Sequence, residues 1–215
     1  MELRHKIPGP SLIFKPKTES GKIADKPTLW RPATLSLIIL LAALLIGVLL
    51  TDTSTLSFTD ENLNSAERVQ AFIIGAVAVI ALFFISQSIL ALYLYLTVKM
   101  FRHFSSYREL LSLAFFVSIP VSLAELLKVS SPLFTSKENI SALSSYIGGS
   151  PILQGMIAPL EIFNIWSLVI LTIGLHQLTK LKTFKVLFIV AGLVIWDSLT
   201  STGTAYITDL FSEPK

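Results

Sequence analysis

The sequence predicts an all-α protein: a polytopic membrane bundle of five transmembrane helices. Three observations carry this. The 215 residues are 53% hydrophobic and only 14% charged, with a mean hydropathy of +0.71, whereas a soluble domain carries roughly 25% charged residues. The apolar residues gather into five stretches, each about as long as a bilayer is thick. Between those stretches, Lys and Arg are alternately plentiful and scarce.

Residues 1–32 hold Pro8, Pro10, Pro16, Pro27 and Pro32 with seven Lys or Arg. Such a composition cannot bury enough apolar surface to fold alone, and it reads as a flexible basic tail. Trp30, Arg31 and Pro32 then provide an interfacial aromatic, a basic anchor and a helix-starting proline for the first span, residues 33–50. At helical rise this span covers about 27 Å. A signal peptide would be shorter and followed by small residues at a cleavage site, which Thr51-Asp52-Thr53-Ser54 does not supply.

The second span, residues 70–98, covers about 43 Å and must tilt or protrude. Ser86-Gln87-Ser88 in its middle does not divide it, because two crossings need about 20 residues each. Residues 110–127 form the third span, kinked or eased at Pro120, which membrane helices tolerate when neighbours satisfy the freed carbonyl. A polar connection of 28 residues leads to the fourth span, residues 156–175. The fifth, residues 184–201, is followed by a short tail, residues 202–215.

By segment, Lys and Arg number seven, one, three, two, three and one, so alternate segments hold 13 against 4. The positive-inside rule therefore puts the amino terminus and the two short turns, residues 99–109 and 176–183, in the cytoplasm, and the carboxyl terminus outside. The odd span count agrees. The formal charge of +3 does not indicate nucleic acid, because the cations crowd the ends of apolar segments, where they orient the chain and bind headgroups. With no cysteine, thiol chemistry and Cys-ligated metal are excluded. The three histidines have no metal-binding spacing, and nothing calls for a metal or a cofactor.

Two stretches carry a family resemblance. The first runs from Lys99-Met-Phe-Arg-His-Phe-Ser-Ser-Tyr-Arg-Glu to Ile119-Pro120, a basic turn with aromatic and cationic residues leading into an apolar helix that ends in Ile-Pro. The second runs from Glu161-Ile-Phe-Asn-Ile-Trp-Ser to Ile173-Gly174, followed by Leu178, Lys182 and Lys185. In this order they resemble the Yip1 domain family of five-span membrane proteins, over about residues 35–196. The resemblance implies an integral membrane protein with a cytoplasmic amino terminus and no established reaction. Eukaryotic members are linked to Rab GTPases. This chain lacks their Asp-Leu-Tyr-Gly-Pro type segment and has Phe104-Ser105-Ser106-Tyr107 where glycines are common, so the resemblance implies a prokaryotic plasma-membrane member.

Glu125, Glu161 and Asp197 lie within apolar segments, and the topology brings all three towards the outer third of the bilayer. A carboxylate at a span centre costs about 2.5–3.5 kcal/mol on insertion scales, so each needs a partner or a role. Two readings stay open. With Asn164 near Glu161, the acids form one polar pocket able to take a cation or proton, as in a small carrier or channel. Otherwise they are satisfied separately, with Glu125 pairing with Lys128, Glu161 stabilised at a helix start and Asp197 bonding a neighbouring span.

A non-enzymatic scaffold or adaptor is the leading functional expectation. Arg31, Lys99, Arg102, Arg108, Lys180, Lys182 and Lys185 are its expected contacts with lipid headgroups or a protein partner. Ala71, Gly75, Ala78, Gly174 and Gly192 offer small surfaces for helix packing or for a homo-oligomer.

Overall fold

The computed structural model describes Ile23 and residues 27–50, 65–130 and 162–212. Five helices fill the last three ranges: α1 (Trp30–Leu50), α2 (Ser65–Met100), α3 (Tyr107–Ser130), α4 (Ile162–Thr179) and α5 (Thr183–Ser212). All five are long and apolar enough to cross a membrane, and no strand occurs among the described residues.

The helix α3 is the centre of the bundle. It packs most extensively on α1, then on α4 and α2, while α5 attaches mainly through α4. Its pairing with α1 is parallel: Ser36 hydrogen-bonds Ser118 at 3.0 Å, and further along Gly47 faces Val129. Before α1 begins, the Ser112 hydroxyl donates to the Thr28 carbonyl at 2.9 Å. Both helices carry small buried residues (Ala33, Ser36 and Ala43 on α1; Ala114, Ser118, Ser122 and Ala124 on α3). Small side chains let two backbones approach closely, which matters in lipid, where van der Waals contact and hydrogen bonds rather than water exclusion drive helix association. The pairing of α3 with α2 is antiparallel, with Phe83 stacked on Phe115 and Tyr95 edge-on to Tyr107.

Pro120 sits inside α3 without ending it. Its missing amide leaves one carbonyl a turn earlier without its helical donor. On either side, the hydroxyls of Ser118 and Ser122 donate to the Phe115 and Ser118 carbonyls at 2.8 and 3.0 Å. Neighbouring helices cover this stretch, since Phe116 and Ile119 are buried.

The large apolar core lies towards the end of the bundle that carries the short turns. It joins Leu94 and Val98 of α2, Leu110, Leu113 and Phe116 of α3, Ile170, Leu171 and Leu175 of α4, and Val186 and Ile189 of α5. Towards the far end α5 turns apolar side chains outward, with Ile195, Trp196 and Leu199 more than half exposed. On α2, Val69, Ile73, Ile74 and Val77 do the same. These are surfaces for hydrocarbon.

Helix ends and expected spans differ in instructive places. The helix α2 begins at Ser65 and α5 continues to Ser212, so residues 202–212 of the expected short tail are helical. Hydropathy marks where lipid would stop, whereas a helix stops where caps and breakers intervene, and Pro214 is the first proline after the fifth span. The expected flexible tail also contributes structure. Trp30, Arg31 and Pro32 form the first turn of α1, with the Thr34 hydroxyl donating to the Trp30 carbonyl at 2.8 Å, and Ile23 is wholly buried in the turn-end core. Residues 156–161 of the expected fourth span lie outside the described residues.

Candidate functional site

Two short turns build one cationic face. Between α2 and α3 the chain reverses over residues 101–106. The Arg102 amide bonds the Lys99 carbonyl at 2.9 Å and the His103 amide bonds the Val98 carbonyl at 3.3 Å. This pair of bonds is a Schellman closure, which needs its penultimate residue left-handed; that residue is Arg102, at φ 59. Then α3 starts with a reciprocal capping box. The Glu109 amide donates to Ser106 Oγ at 3.3 Å, and the Ser106 amide to Glu109 Oε2 at 3.4 Å.

The turn between α4 and α5 also uses a left-handed residue but closes with a single backbone bond. Lys180 is left-handed at φ 54, and its amide bonds the His176 carbonyl at 2.9 Å. The His176 ring donates from Nδ1 to the Leu181 carbonyl at 2.7 Å, and Thr179 Oγ1 accepts the Leu181 amide at 3.3 Å. His176 is thus a brace of the turn. At both turns a cation occupies a position that suits glycine, although left-handed backbone costs an L-residue roughly 1–2 kcal/mol. A cation next to a helix carboxyl end offsets part of that cost, because the end carries partial negative charge.

Aromatic contacts tie the turns together. Lys185 Nζ, from α5, sits 5.2 Å from the centroid of Phe101 in the other turn, and Phe101 meets Phe188 edge-on. Deeper in, the Tyr93 hydroxyl of α2 donates to the Ile189 carbonyl of α5 at 2.9 Å. Lys99 lies over the Tyr95 ring at 5.7 Å. The ammonium groups of Lys99 and Lys185 are thereby held over ring faces that attract cations. Arg31, Lys99, Arg102, Arg108, Lys180 and Lys182 are exposed and Lys185 is half-buried. Phe104 is 99% exposed and Phe184 is 80% exposed, so apolar rings project beside the cations. Sequence reasoning picked out the cations but not this pairing with outward aromatics; Phe104 between His103 and Ser105 was the available signal.

Of the three acids expected in the spans, Glu125 and Asp197 fall within the described residues. Glu125 on α3 and Asn164 on α4 are half-buried on two helices that pack together, and neither is without a partner. Asp197 is exposed, as are Ile195, Trp196 and Leu199 in the same stretch of α5, and its carbonyl accepts the Thr200 hydroxyl at 3.0 Å. Glu161 falls outside the described residues. Two of the small residues face neighbouring helices: an added methyl on Gly174 would overlap Leu113 Cδ1 of α3, and one on Gly75 would meet Leu44 of α1 at 3.7 Å.

The stretches that carried the family resemblance have structural roles. Gly174 is where α4 approaches α3, Ser167 is buried with its hydroxyl on the Phe163 carbonyl at 3.0 Å, and Ile119-Pro120 sits in the middle of the central helix. The model of the Yip1 domain matches residues 11–196. The chain is 31% identical over 187 residues to the membrane protein YknW of Bacillus subtilis (strain 168), covering 77% of this chain and 76% of that protein. No solved structure matches it. Five apolar helices in this order, a domain match across most of the sequence and a bacterial relative of comparable length make this chain a prokaryotic member of the Yip1 domain family of membrane proteins.

Proposed function

We propose that this chain is a non-enzymatic scaffold or adaptor of the prokaryotic plasma membrane, with its amino terminus and both short turns in the cytoplasm and its carboxyl terminus outside. Its working surface is the two-turn face, which holds anionic lipid headgroups and a protein partner. The single observation that supports this reading is the juxtaposition of Arg102 and Lys180, both left-handed, with the outward rings of Phe104 and Phe184. Backbone strain kept at a cation, where glycine would relieve it, fits a surface selected for contact. A carrier path through Glu125, Glu161 and Asp197 draws less support, because Asp197 is exposed rather than enclosed among the helices.

The test is the pair Arg102→Gly and Lys180→Gly in one chain. Glycine suits the left-handed backbone, so thermal stability in detergent should hold or rise, by up to about 1 kcal/mol per site. Each cation near an anionic surface contributes about 1 kcal/mol, so retention of anionic phospholipid should fall about tenfold or more. The yield of partner cross-linked in native membranes should fall with it. Unchanged lipid retention and unchanged partner yield would reject the scaffold reading. Proton flux in liposomes that disappears with Glu125→Gln and Asp197→Asn would replace it with the carrier.

A further inference from the structure

We infer that α5 is a docking surface for a transmembrane helix of a different protein, one that brings a basic side chain to Asp197. Of α5, Thr183–Gly203 is the stretch apolar enough to cross a membrane. At helical rise Asp197 stands about 21 Å from the start of that stretch, inside a hydrocarbon layer about 30 Å thick. It is exposed. Its backbone carbonyl accepts the Thr200 hydroxyl, and among the described residues no hydrogen bond or ion pair reaches its carboxylate. Ionisable groups at such depth ordinarily face the interior of a bundle and pair there, because hydrocarbon supplies neither a donor nor a countercharge. An exposed one calls for a neighbour from outside the chain.

Charge and depth together choose the neighbour. Every cation with a described side chain lies at the turn end of the bundle: Arg31 opens α1, Lys99 and Arg102 close α2, Arg108 opens α3, and Lys180 to Lys185 join α4 to α5. Copies of one membrane protein insert in the same orientation, so a second copy brings those cations to the turn end again, about 18 Å short of Asp197 when measured along α5 from Lys185. A helix of another protein has no such constraint. The surface beside the acid suits helix contact as well. Thr200 and Gly203, about one and two turns further on, are exposed, and nothing lies within 4 Å of where a side chain on Gly203 would begin. Small residues let a second backbone come close, and Trp196 and Leu199, both more than half exposed, add apolar area for it to pack on. The inference concerns α5 alone and is independent of what the two-turn face holds.

The probe is a synthetic apolar helix of about 20 residues with one arginine near its middle, and its control has leucine there. In lipid vesicles holding the full chain, energy transfer from a dye at the amino terminus should show the arginine helix associating at least about tenfold more tightly than the leucine helix, since pairing relieves the cost that lipid imposes on both charges. Asp197→Asn should remove that preference, and Asp197→Lys should transfer it to a helix with glutamate in place of arginine. Equal association of the arginine and leucine helices, or a preference that survives Asp197→Asn, would overturn the inference. Energy transfer between two labelled copies of the chain that Asp197→Asn abolishes would also overturn it, by making a second copy the occupant. Depth is read separately, because the chain has no cysteine. In lipid nanodiscs Asp197→Cys should react with a water-soluble maleimide at least about tenfold more slowly than a cysteine replacing Phe104, which is 99% exposed at a turn, because an apolar environment disfavours the reactive thiolate. Equal rates would put position 197 in water and overturn the docking surface.

Discussion

Helices α2 and α3 are similarly apolar, yet 6% of the spanning window of α2 is buried against 67% for α3. Apolarity therefore decides that both cross a membrane and leaves open which one the others surround. The difference lies in the residues that break the apolar pattern. In α3 they are Ser112, Ser118 and Ser122, all buried, with hydroxyls that bond across to the α1 side or back onto the helix. In α2 the comparable break is Ser86-Gln87-Ser88, where the Ser86 hydroxyl bonds the Phe83 carbonyl of its own helix and the residue stays exposed. Lipid solvates leucine as well as another leucine does, so the central position goes to the helix whose small and hydroxylated residues allow close approach.

The largest expected effect separates the two helices directly. Phe116→Ala removes a side chain with 1% exposure from the middle of α3 and should cost about 3–5 kcal/mol in reversible unfolding from micelles. Ile89→Ala on the outward side of α2, where exposure is 61%, should cost well under that, about 0.5 kcal/mol or less. Equal losses would show that α2 is covered by protein in the membrane.

Next comes the α1–α3 seam. Ser118→Leu should destabilise by about 1–3 kcal/mol through overpacking, whereas Ser118→Ala should cost only about 0.6 kcal/mol, the usual worth of an interhelical hydrogen bond in lipid. If leucine were tolerated as well as alanine, the seam would be looser than its contacts indicate.

The smallest effect falls on the α2–α5 tie. Tyr93→Phe removes the bond to the Ile189 carbonyl and should cost about 0.6 kcal/mol. Gly192→Ala would place a methyl 2.6 Å from the Tyr93 hydroxyl oxygen and disturb the same bond, so the two changes together should cost less than their sum in thermal melts.

Much of this architecture is legible in the residue string. Five apolar runs translate into five helices. The seven cations expected to make contacts with lipid or a partner can be named from their positions beside the spans. What pattern alone misses is non-local. Ile23 sits among prolines and lysines that average to a flexible tail, yet it is buried in the core. Arg102 and Lys180 give no sign of a left-handed backbone, because glycine is the usual marker there. Helical rise gives an expected depth for Glu125 and Asp197 but says nothing of their burial, and Glu125 is half-buried whereas Asp197 is exposed.

The sequence by itself determined the solvent of this protein, its number of membrane helices, and the placing of its cations at helix ends. These follow from transfer free energies, which each residue carries regardless of its neighbours in space. Only the tertiary structure decided that α3 is central, that two cationic turns share one face through Lys185 and Phe101, and that Ile23 is seated in the core. Those outcomes depend on shape and hydrogen bonding between residues far apart in the chain, and once helices are in lipid these are the forces left to choose among arrangements.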